Sequence, residues 1–282
     1  MRKLSMPTWT VESVLTECAT HIRDKHYAKR LRSVLPTVSK AEKTYRNKGK
    51  SFQLFSIKPQ DSIENCVSID EMMRLYSSTL SGKKSPVRYI YDDLKAAARN
   101  GICPLCCQRP VSTLDHYLAK SRHPALAVTP ANLIPACFDC NKAKSDVQPT
   151  AASEQTLHPY FDNSDDHVWL IASVVETKPP ALRFEVLASK KRPDLKRDRI
   201  STHFKVFNLG QLYASYAAEE LLHISYRLSK IAKNEGSAGI SKYLTDSLES
   251  YQFISKNSWQ VAMYDALRTS QWFCTKGFRL VQ

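Results

Sequence analysis

Apolar residues near the N-terminus recur three or four positions apart, a spacing that places them on one face of a helix. They are Val11, Val14, Leu15, Cys18, Ile22 and Tyr27. Thr10 stands ahead of them and has a side-chain oxygen suited to an N-cap. The pattern therefore predicts a helix from Thr10 to about Arg32, and a shorter one from Ser39 to Arg46.

Two further helices are predicted before residue 101 from their start and stop signals. Ser68 and Glu71 have the spacing of a capping box ahead of a periodic apolar segment, which stops at Ser81-Gly82. Pro86 is suited to the first turn of the next helix. Asn100-Gly101 is suited to the end of that helix.

The C-terminal part of the chain predicts a hairpin followed by helices. Residues 168–176 and 181–187 flank Lys178-Pro179-Pro180, and polar and apolar residues alternate in the second segment, as expected for paired strands. Helical spacing returns at residues 209–233. After a break between Gly236 and Gly239, it continues near residues 241–254 and 258–273.

The central residues differ from both flanks, because residues 101–162 lack a helical period and are rich in Cys, Pro, His and Asn. We therefore divide the chain into a helical, basic N-terminal region (1–100), a central module (101–162) and a C-terminal region with a hairpin and helices (163–282). The fold class predicted is mainly α, with a small insertion at its centre.

The chain is strongly basic, since 41 Lys and Arg against 27 Asp and Glu give a net charge of +14. Such a balance attracts polyanions, which release counterions on binding. Residues 1–50 hold twelve basic and four acidic side chains. A second basic stretch consists of Lys190, Lys191, Arg192, Lys196, Arg197 and Arg199. Both are candidate tracks for nucleic-acid phosphates, and the alternative is a solvated surface that serves solubility.

The sequence does not indicate a membrane protein or a secreted one. No run approaches the roughly 18 apolar residues of a membrane span, and the start, MRKLSMPTWTVES, lacks the apolar core of a signal peptide. We expect a cytoplasmic protein. Five of the eight cysteines cluster between residues 103 and 140, which in such a chain favours a metal site over disulfides.

Two CxxC knuckles, Cys103-Pro-Leu-Cys106 and Cys137-Phe-Asp-Cys140, are separated by thirty residues. This arrangement presents four thiolates to one tetrahedral Zn²⁺ and leaves no open coordination position, so the predicted zinc is structural. The alternative is four unrelated buried thiols. Cys107 is spare, because the turn of a CxxC knuckle favours Cys106 as the ligand.

Asp115-His116 and Asn132 stand inside the loop that the zinc would close, and Asn141 follows the second knuckle. With these motifs, about 40 residues from Cys103 to Lys144 resemble the HNH (ββα-metal) endonuclease family. Asn141 departs from the family's more usual last His, which changes one metal ligand from imidazole to amide. The resemblance implies a small α+β insertion in which the first strand ends in Asp-His and a helix supplies the last ligand.

The resemblance implies that His116 is the general base, that Asp115 and Asn141 hold a catalytic Mg²⁺ or Mn²⁺, and that Asn132 braces the base or its loop. Elementary chemistry agrees. A neutral imidazole accepts a proton from water near pH 7, and hard oxygen donors suit Mg²⁺ or Mn²⁺. The plainer interpretations are an ordinary surface or core His116, a solvent-facing Asp115, a turn at Asn132 and a helix N-cap at Asn141.

Other polar residues surround the proposed site. The basic candidates for holding the phosphates beside the cut are Lys120, Arg122, Lys142 and Lys144. For His158 two alternatives stay open, an accessory phosphate or metal contact and a packed loop. His123 and His167 are expected to be surface residues.

The whole chain is similar to the HNH nucleases that act beside an ATPase in bacterial anti-phage systems of the Septu type, including those encoded with retrons. The stretch from Asn257 to Cys274 adds to this resemblance. It implies an ATPase partner and double-stranded phage DNA as the substrate. Two other classes stay open: a zinc-knuckle module that binds nucleic acid without catalysis, and a structural subunit whose zinc loop docks a partner protein. Within the enzyme class, a stand-alone restriction or homing-like nuclease and an RNase stay open as well.

Overall fold

The computed structural model describes residues 1–188 and 194–281. Lys190, Lys191 and Arg192 of the second basic stretch lie outside the described residues. The chain forms two compact units, Met1–Asn163 and Ser164–Gln282. The fold is mainly helical, with small two-stranded antiparallel sheets. Within the described ranges, no helix has both the length and the apolarity to cross a membrane.

The first unit combines helices with two short strand pairs. Its elements are α1 (Val11–Thr20), α2 (Lys25–Ser33), α3 (Leu35–Lys50), β1 (Ser62–Ile63), β2 (Val67–Ser68), α4 (Ile69–Arg74), α5 (Arg88–Ala96), β3 (Thr113–His116), β4 (Leu133–Ala136) and α6 (Phe138–Lys144). β1 pairs with β2 and β3 with β4, both antiparallel. Buried apolar side chains of α1 to α5 form the core, which includes Leu114 of β3 and Leu133 of β4.

The helix predicted from Thr10 to about Arg32 is in fact two helices. Thr10 caps α1 as predicted, but the chain leaves the helix at His21. Asp24 then caps α2 by accepting hydrogen bonds from two amides of its first turn. This carboxylate offers the amides a local partner that a continuous helix would not provide, which explains the break.

The remaining helices of this unit follow the predicted signals with shifted ends. Ser68 and Glu71 form the predicted capping box of α4, and the helical path continues through a π-helical turn, Leu75–Leu80. α3 extends beyond its predicted bounds at both ends. Asn100 and Gly101, beyond the end of α5, adopt the left-handed φ expected of a stop signal.

β3, β4 and α6 follow one another as strand, strand and helix. In the strand pair Asp115 lies opposite Ile134, and His116 lies opposite Leu133. Cys137 alone separates β4 from α6 and caps that helix. α6 packs against β3, and α5 packs against both strands. This packing places the end of β3, with Asp115 and His116, beside α6.

The second unit contains the predicted hairpin, which the structure confirms, and helices. Its described elements are β5 (Leu170–Val175), β6 (Ala181–Val186), α7 (Leu195–Val206), α8 (Leu209–Gln252), α9 (Trp259–Thr269) and α10 (Gln271–Thr275). Both strands pack against α9, and β6 also packs against α8. The break predicted between Gly236 and Gly239 is a kink inside α8, where Gly236 has a φ of 64°.

The described part of the second basic stretch is not a continuous surface track. Arg199 is buried, with 3% of its surface exposed. Lys196 forms an ion pair with Asp166 at 2.5 Å. The expectation of a phosphate contact is therefore wrong for Arg199, because its position on α7 turns the side chain into the interior of the second unit.

Candidate functional site

Four cysteines, two from the loop before β3 and two from the start of α6, meet at one point in the first unit. The Sγ atoms of Cys103, Cys106, Cys137 and Cys140 all lie within 4.8 Å of one another, and all four residues are buried. Four converging thiols form the ligand set of a closed, structural zinc site. These side chains could hold a zinc ion, as the spacing of the two knuckles predicts.

Local contacts shape the two knuckles. The Cys107 amide donates to the Cys103 carbonyl at 2.8 Å, and Cys107 takes a left-handed φ of 60° that closes the turn. Its thiol donates to the Pro104 carbonyl at 3.5 Å and stays outside the cluster, as predicted. The Arg109 guanidinium and the Asp139 carboxylate, 3.0 Å apart, join the first knuckle to the second.

In the second knuckle, hydrogen bonds to the neighbouring cysteines lower the pKa of Cys137 and raise that of Cys140. The bond from the Cys103 thiol, the largest influence, lowers the pKa of Cys137 to about 7. The Cys140 amide also donates to the Cys137 sulfur, at 3.4 Å. Because zinc binds the thiolate, these bonds prepare Cys137 as a ligand.

Asp115 is a buried carboxylate, 3% exposed, and one of its two oxygens accepts no hydrogen bond. The Lys144 ammonium donates to Oδ1 at 3.4 Å and lies 3.2 Å from Oδ2, but Oδ2 receives no hydrogen bond. Burial raises the pKa of Asp115, and the charges of Lys144 and Lys120 oppose that rise. A buried carboxylate oxygen without a hydrogen bond fits a ligand for a hard cation.

His116 ends β3 with its ring in a defined orientation. Its Nε2 lies 2.8 Å from the Ala127 carbonyl, which can only accept, so Nε2 carries the proton and Nδ1 keeps its lone pair. The Tyr76 ring packs edge-on against the imidazole, with 4.4 Å between centroids. Burial, followed by the charge of Lys120, lowers the pKa of His116 to about 3. The imidazole is therefore neutral near pH 7.

Asn132 holds the loop that follows β3. It is completely buried, and its Oδ1 accepts from the Leu118 amide at 2.8 Å. Its Nδ2 donates to the carbonyls of Leu118 and Leu126, at 2.9 and 3.2 Å. These bonds fix the backbone next to Ala127, the residue whose carbonyl orients His116.

Asn141 lies inside α6, so the interpretation of this residue as a helix N-cap is wrong; Cys137 is the N-cap. Asn141 and Lys144 are three positions apart and so lie on adjoining parts of one helix face. Since Lys144 reaches Asp115, Asn141 is on the side of α6 that faces the end of β3. It is partly exposed.

Three of the basic residues predicted to hold phosphates lie at or near the surface. Arg122 and Lys142 are exposed. Lys120 is half-buried, with its ammonium 5.3 Å from the centroid of the Tyr76 ring. Burial, opposed by Asp115, lowers the pKa of Lys120.

Sequence reasoning missed the contacts of Lys144 and Tyr76. Lys144 was expected at a DNA phosphate, but its side chain is only 11% exposed and also donates to the His116 carbonyl at 2.7 Å. The one signal in the sequence was its helical spacing from Asn141. Tyr76 gave no separate signal, because it falls on the apolar face of a predicted helix.

His158 belongs to a packed loop. Its Nδ1 accepts from the Tyr160 amide at 3.2 Å, so Nε2 carries the proton and donates to the Tyr45 hydroxyl at 2.9 Å. The residue is 1% exposed, and aromatic rings, including that of Tyr117, surround it. Protein groups occupy both ring nitrogens, so of the two open alternatives the packed loop describes His158.

The two histidines expected at the surface differ. His123 is buried, which contradicts the expectation, and its Nε2 lies 3.0 Å from the Gln148 side-chain oxygen. That partner is 25 positions away along the chain, so sequence reasoning could not pair them. His167 is partly exposed and pairs with its neighbour Asp166.

Comparison with known proteins adds one similarity. The chain is similar to protein ea31 of Escherichia phage lambda, with 26% identity over 293 residues that cover 97% of this chain and 99% of that protein. The similarity thus extends through both compact units, and the name of ea31 states no activity. No family model matches the chain. No solved structure matches it.

Proposed function

We propose that the protein is a metal-dependent HNH-type endonuclease that hydrolyses phosphodiester bonds of DNA. The observation that carries the proposal is the pair of residues at the end of β3. Asp115 is buried with an oxygen that receives no hydrogen bond. His116 next to it is held by the bond from Nε2 to the Ala127 carbonyl, which leaves the lone pair on Nδ1. The four-cysteine cluster is set to close the loop that contains both.

His116 acts as the general base in this proposal. Its Nδ1 takes a proton from the water that attacks the phosphorus. The bond from Nε2 to the Ala127 carbonyl keeps the ring oriented and stabilises the imidazolium that forms. Asn132 supports this bond by fixing the loop of Ala127.

Asp115 and Asn141 would hold Mg²⁺ or Mn²⁺, which supplies positive charge to the non-bridging and leaving oxygens of the phosphate. Two protein oxygens leave the other coordination positions to water and substrate. The Lys144 ammonium, 3.2 Å from Oδ2 of Asp115, favours the ionised carboxylate that a metal requires.

Exposed basic side chains in the first unit support a nucleic acid as the substrate. Arg122 and Lys142 are exposed, and the first unit holds 24 Lys and Arg against 15 Asp and Glu. Double-stranded phage DNA as the target, and an ATPase as the partner, are parts of the proposal that rest on the resemblance to the Septu-type nucleases.

The test is cleavage of plasmid DNA in Mg²⁺ by the wild type and by His116→Ala, with and without an ATPase encoded beside the protein. General-base catalysis is worth about 10² to 10⁴ in rate, so His116→Ala is expected to be slower by that factor and to recover partly at high pH. Asp166-His167 is a second Asp-His pair, partly exposed in the second unit. His167→Ala is therefore the matched control and should cut like the wild type.

Replacing Asp115 and replacing His116 should impair cleavage in different ways. Asp115→Ala is expected to need more Mg²⁺ for the same rate, because it removes a metal ligand. Cutting at the wild-type rate by His116→Ala would refute the assignment. It would favour the zinc-knuckle module that binds nucleic acid without catalysis.

A further inference from the structure

Phe138 is the most exposed aromatic side chain in the first unit, at 66%. It opens α6, the helix that also carries Asn141 and Lys144. A single exposed apolar residue is ordinary on a protein surface. Phe138 differs from the other exposed aromatic side chains of this unit in its position relative to the candidate metal ligands.

Helical geometry defines that position. Successive residues of an α-helix turn by about 100° and rise about 1.5 Å. Seen around α6, Asn141 therefore lies between Lys144, which contacts Asp115, and Phe138. Lys142 lies beyond Phe138, on the exposed side. Around the helix, the candidate metal ligand Asn141 therefore comes next after the contact with Asp115, and the exposed Phe138 ring and the Lys142 ammonium follow it.

Phe138 and Asn141 are three residues apart, about 4.5 Å along the helix axis. Nucleotides of one strand follow one another at about 3.4 Å in a duplex. A phosphate bound through the cation that Asp115 and Asn141 would hold therefore brings a neighbouring nucleotide within reach of the Phe138 ring. The same chain then passes Lys142, which suits another phosphate.

We infer that Phe138 packs its ring against a nucleobase next to the scissile phosphate, and so helps to position the strand that is cut. This inference rests on the proposed function and adds a substrate contact to the same site. Every nucleobase has an aromatic face, so the contact adds affinity with little dependence on sequence. An unpaired base and an unstacked step of a duplex both offer that face.

The experiment measures DNA affinity in the His116→Ala protein, so that no cutting interferes. The ligands are a single-stranded oligonucleotide, a duplex of the same sequence, and a single strand of the same length whose sugars lack bases. Aromatic stacking is worth about 5- to 150-fold in affinity per base. Adding Phe138→Ala should cause a loss of that size with the base-bearing single strand, and no loss with the strand that lacks bases. A loss of affinity of Phe138→Ala for the duplex as well would show that the ring also packs against a base in an unstacked step of paired DNA.

Two control variants separate stacking from charge and from general damage. Phe253 is 90% exposed in the second unit, so Phe253→Ala should leave all affinities unchanged. Lys142→Ala should flatten the dependence of affinity on salt, by about 0.9 in slope on a duplex and 0.7 on a single strand for one lost phosphate contact. Phe138→Ala should keep the slope, because an aromatic ring releases no counterions.

The outcomes distinguish this inference from the proposed function. Unchanged affinity of Phe138→Ala for the base-bearing strand overturns the inference alone, and assigns the ring to a protein partner or to no contact. Equal losses with and without bases overturn it as well. If the wild type cuts plasmid and Phe138→Ala gives either of these two results, the inference is overturned and the proposed function stands. If neither the wild type nor any variant binds DNA, the inference and the proposed function are both overturned.

Discussion

Lys144 is the counterion of Asp115 in the first unit. The pair is buried, with 11% and 4% of the two side chains exposed, and a buried ion pair adds little net stability because both charges lose their hydration. Its role in the proposed site is therefore electrostatic. The ammonium favours the ionised carboxylate against the rise in pKa that burial causes, and a divalent cation would share that carboxylate with it.

Asn132 and Asn141 can be separated by experiment, because one is buried and the other is partly exposed. Asn132→Ala removes three side-chain hydrogen bonds and leaves buried backbone groups of the loop without partners. We expect the free energy of unfolding to fall by about 2 to 4 kcal/mol. Asn141→Ala should change it by less than about 0.5 kcal/mol, yet raise the Mg²⁺ needed for cleavage. Urea denaturation without added Mg²⁺, together with a Mg²⁺ titration of activity, measures both; equal destabilisation by the two variants would contradict this division.

At the scale of elements, features that depend on neighbouring residues could be predicted from the sequence. The capping box at Ser68 and Glu71, the hairpin of β5 and β6 and the two cysteine knuckles are local patterns, and the structure contains them. The division of the first predicted helix at Asp24 was harder to predict, because the helical spacing of apolar residues continues across it while Asp24 caps a new helix. Lys144 and Asp115 are 29 positions apart along the chain and meet only because α6 packs against β3. No local sequence pattern predicts such a contact.

Glu71 links the cap of α4 to α2 and should make stability depend on pH. The hydrogen bond from Arg30, the largest influence, lowers the pKa of Glu71 from 4.5 to about 2. Because the unfolded chain takes up this proton first, the stabilisation is present above about pH 4.5 and is lost as the pH falls towards 2. Solvent screening limits its size, and we expect Glu71→Gln to cost about 1 to 2 kcal/mol at pH 7.

The cost of Glu71→Gln should shrink through that pH range, as followed by urea unfolding between pH 7 and the lowest pH at which the wild type folds. Asp70→Asn is the control, since Asp70 is an exposed carboxylate in the same first turn of α4. A penalty for Glu71→Gln that stays constant down to pH 3 would show that the ion pair with Arg30 contributes nothing.

At the scale of the whole molecule, the cysteine cluster closes the segment that contains the candidate catalytic residues. Cys103 and Cys140 bound a loop with Asp115, His116 and Asn132 inside it. A metal that joins these ends would restrain the loop, and its binding energy would contribute to folding.

The adjacent cysteines at 106 and 107 offer a matched test of that cluster. Cys106 belongs to the cluster, whereas the Cys107 thiol donates to the Pro104 carbonyl. We expect Cys106→Ser to lose most of its zinc and several kcal/mol of stability, and Cys107→Ser to keep about one zinc per chain. Metal analysis by mass spectrometry and thermal unfolding measure the two effects. Zinc retained by Cys106→Ser but lost by Cys107→Ser would exchange the two roles, and no zinc in the wild type would remove the site.

The unit that carries the candidate site has the larger net positive charge, although the two units contain basic residues at a similar density. The first unit has 24 basic against 15 acidic residues and the second has 17 against 12, with the basic residues outside the described ranges counted in the second. Phosphate contacts release counterions, so DNA affinity should fall steeply with salt.

Lys40→Ala with Lys43→Ala removes two exposed cations of α3, and Lys242→Ala with Lys256→Ala removes two exposed cations of the second unit. If the N-terminal basic region follows the DNA, the first double variant should reduce the slope of log affinity against log salt by up to about 1.8, and the second should leave it unchanged. Fluorescence anisotropy over a range of salt concentrations measures these slopes; a greater effect of the second pair would move the DNA path to the other unit, and an affinity that ignores salt would exclude both basic regions as phosphate tracks.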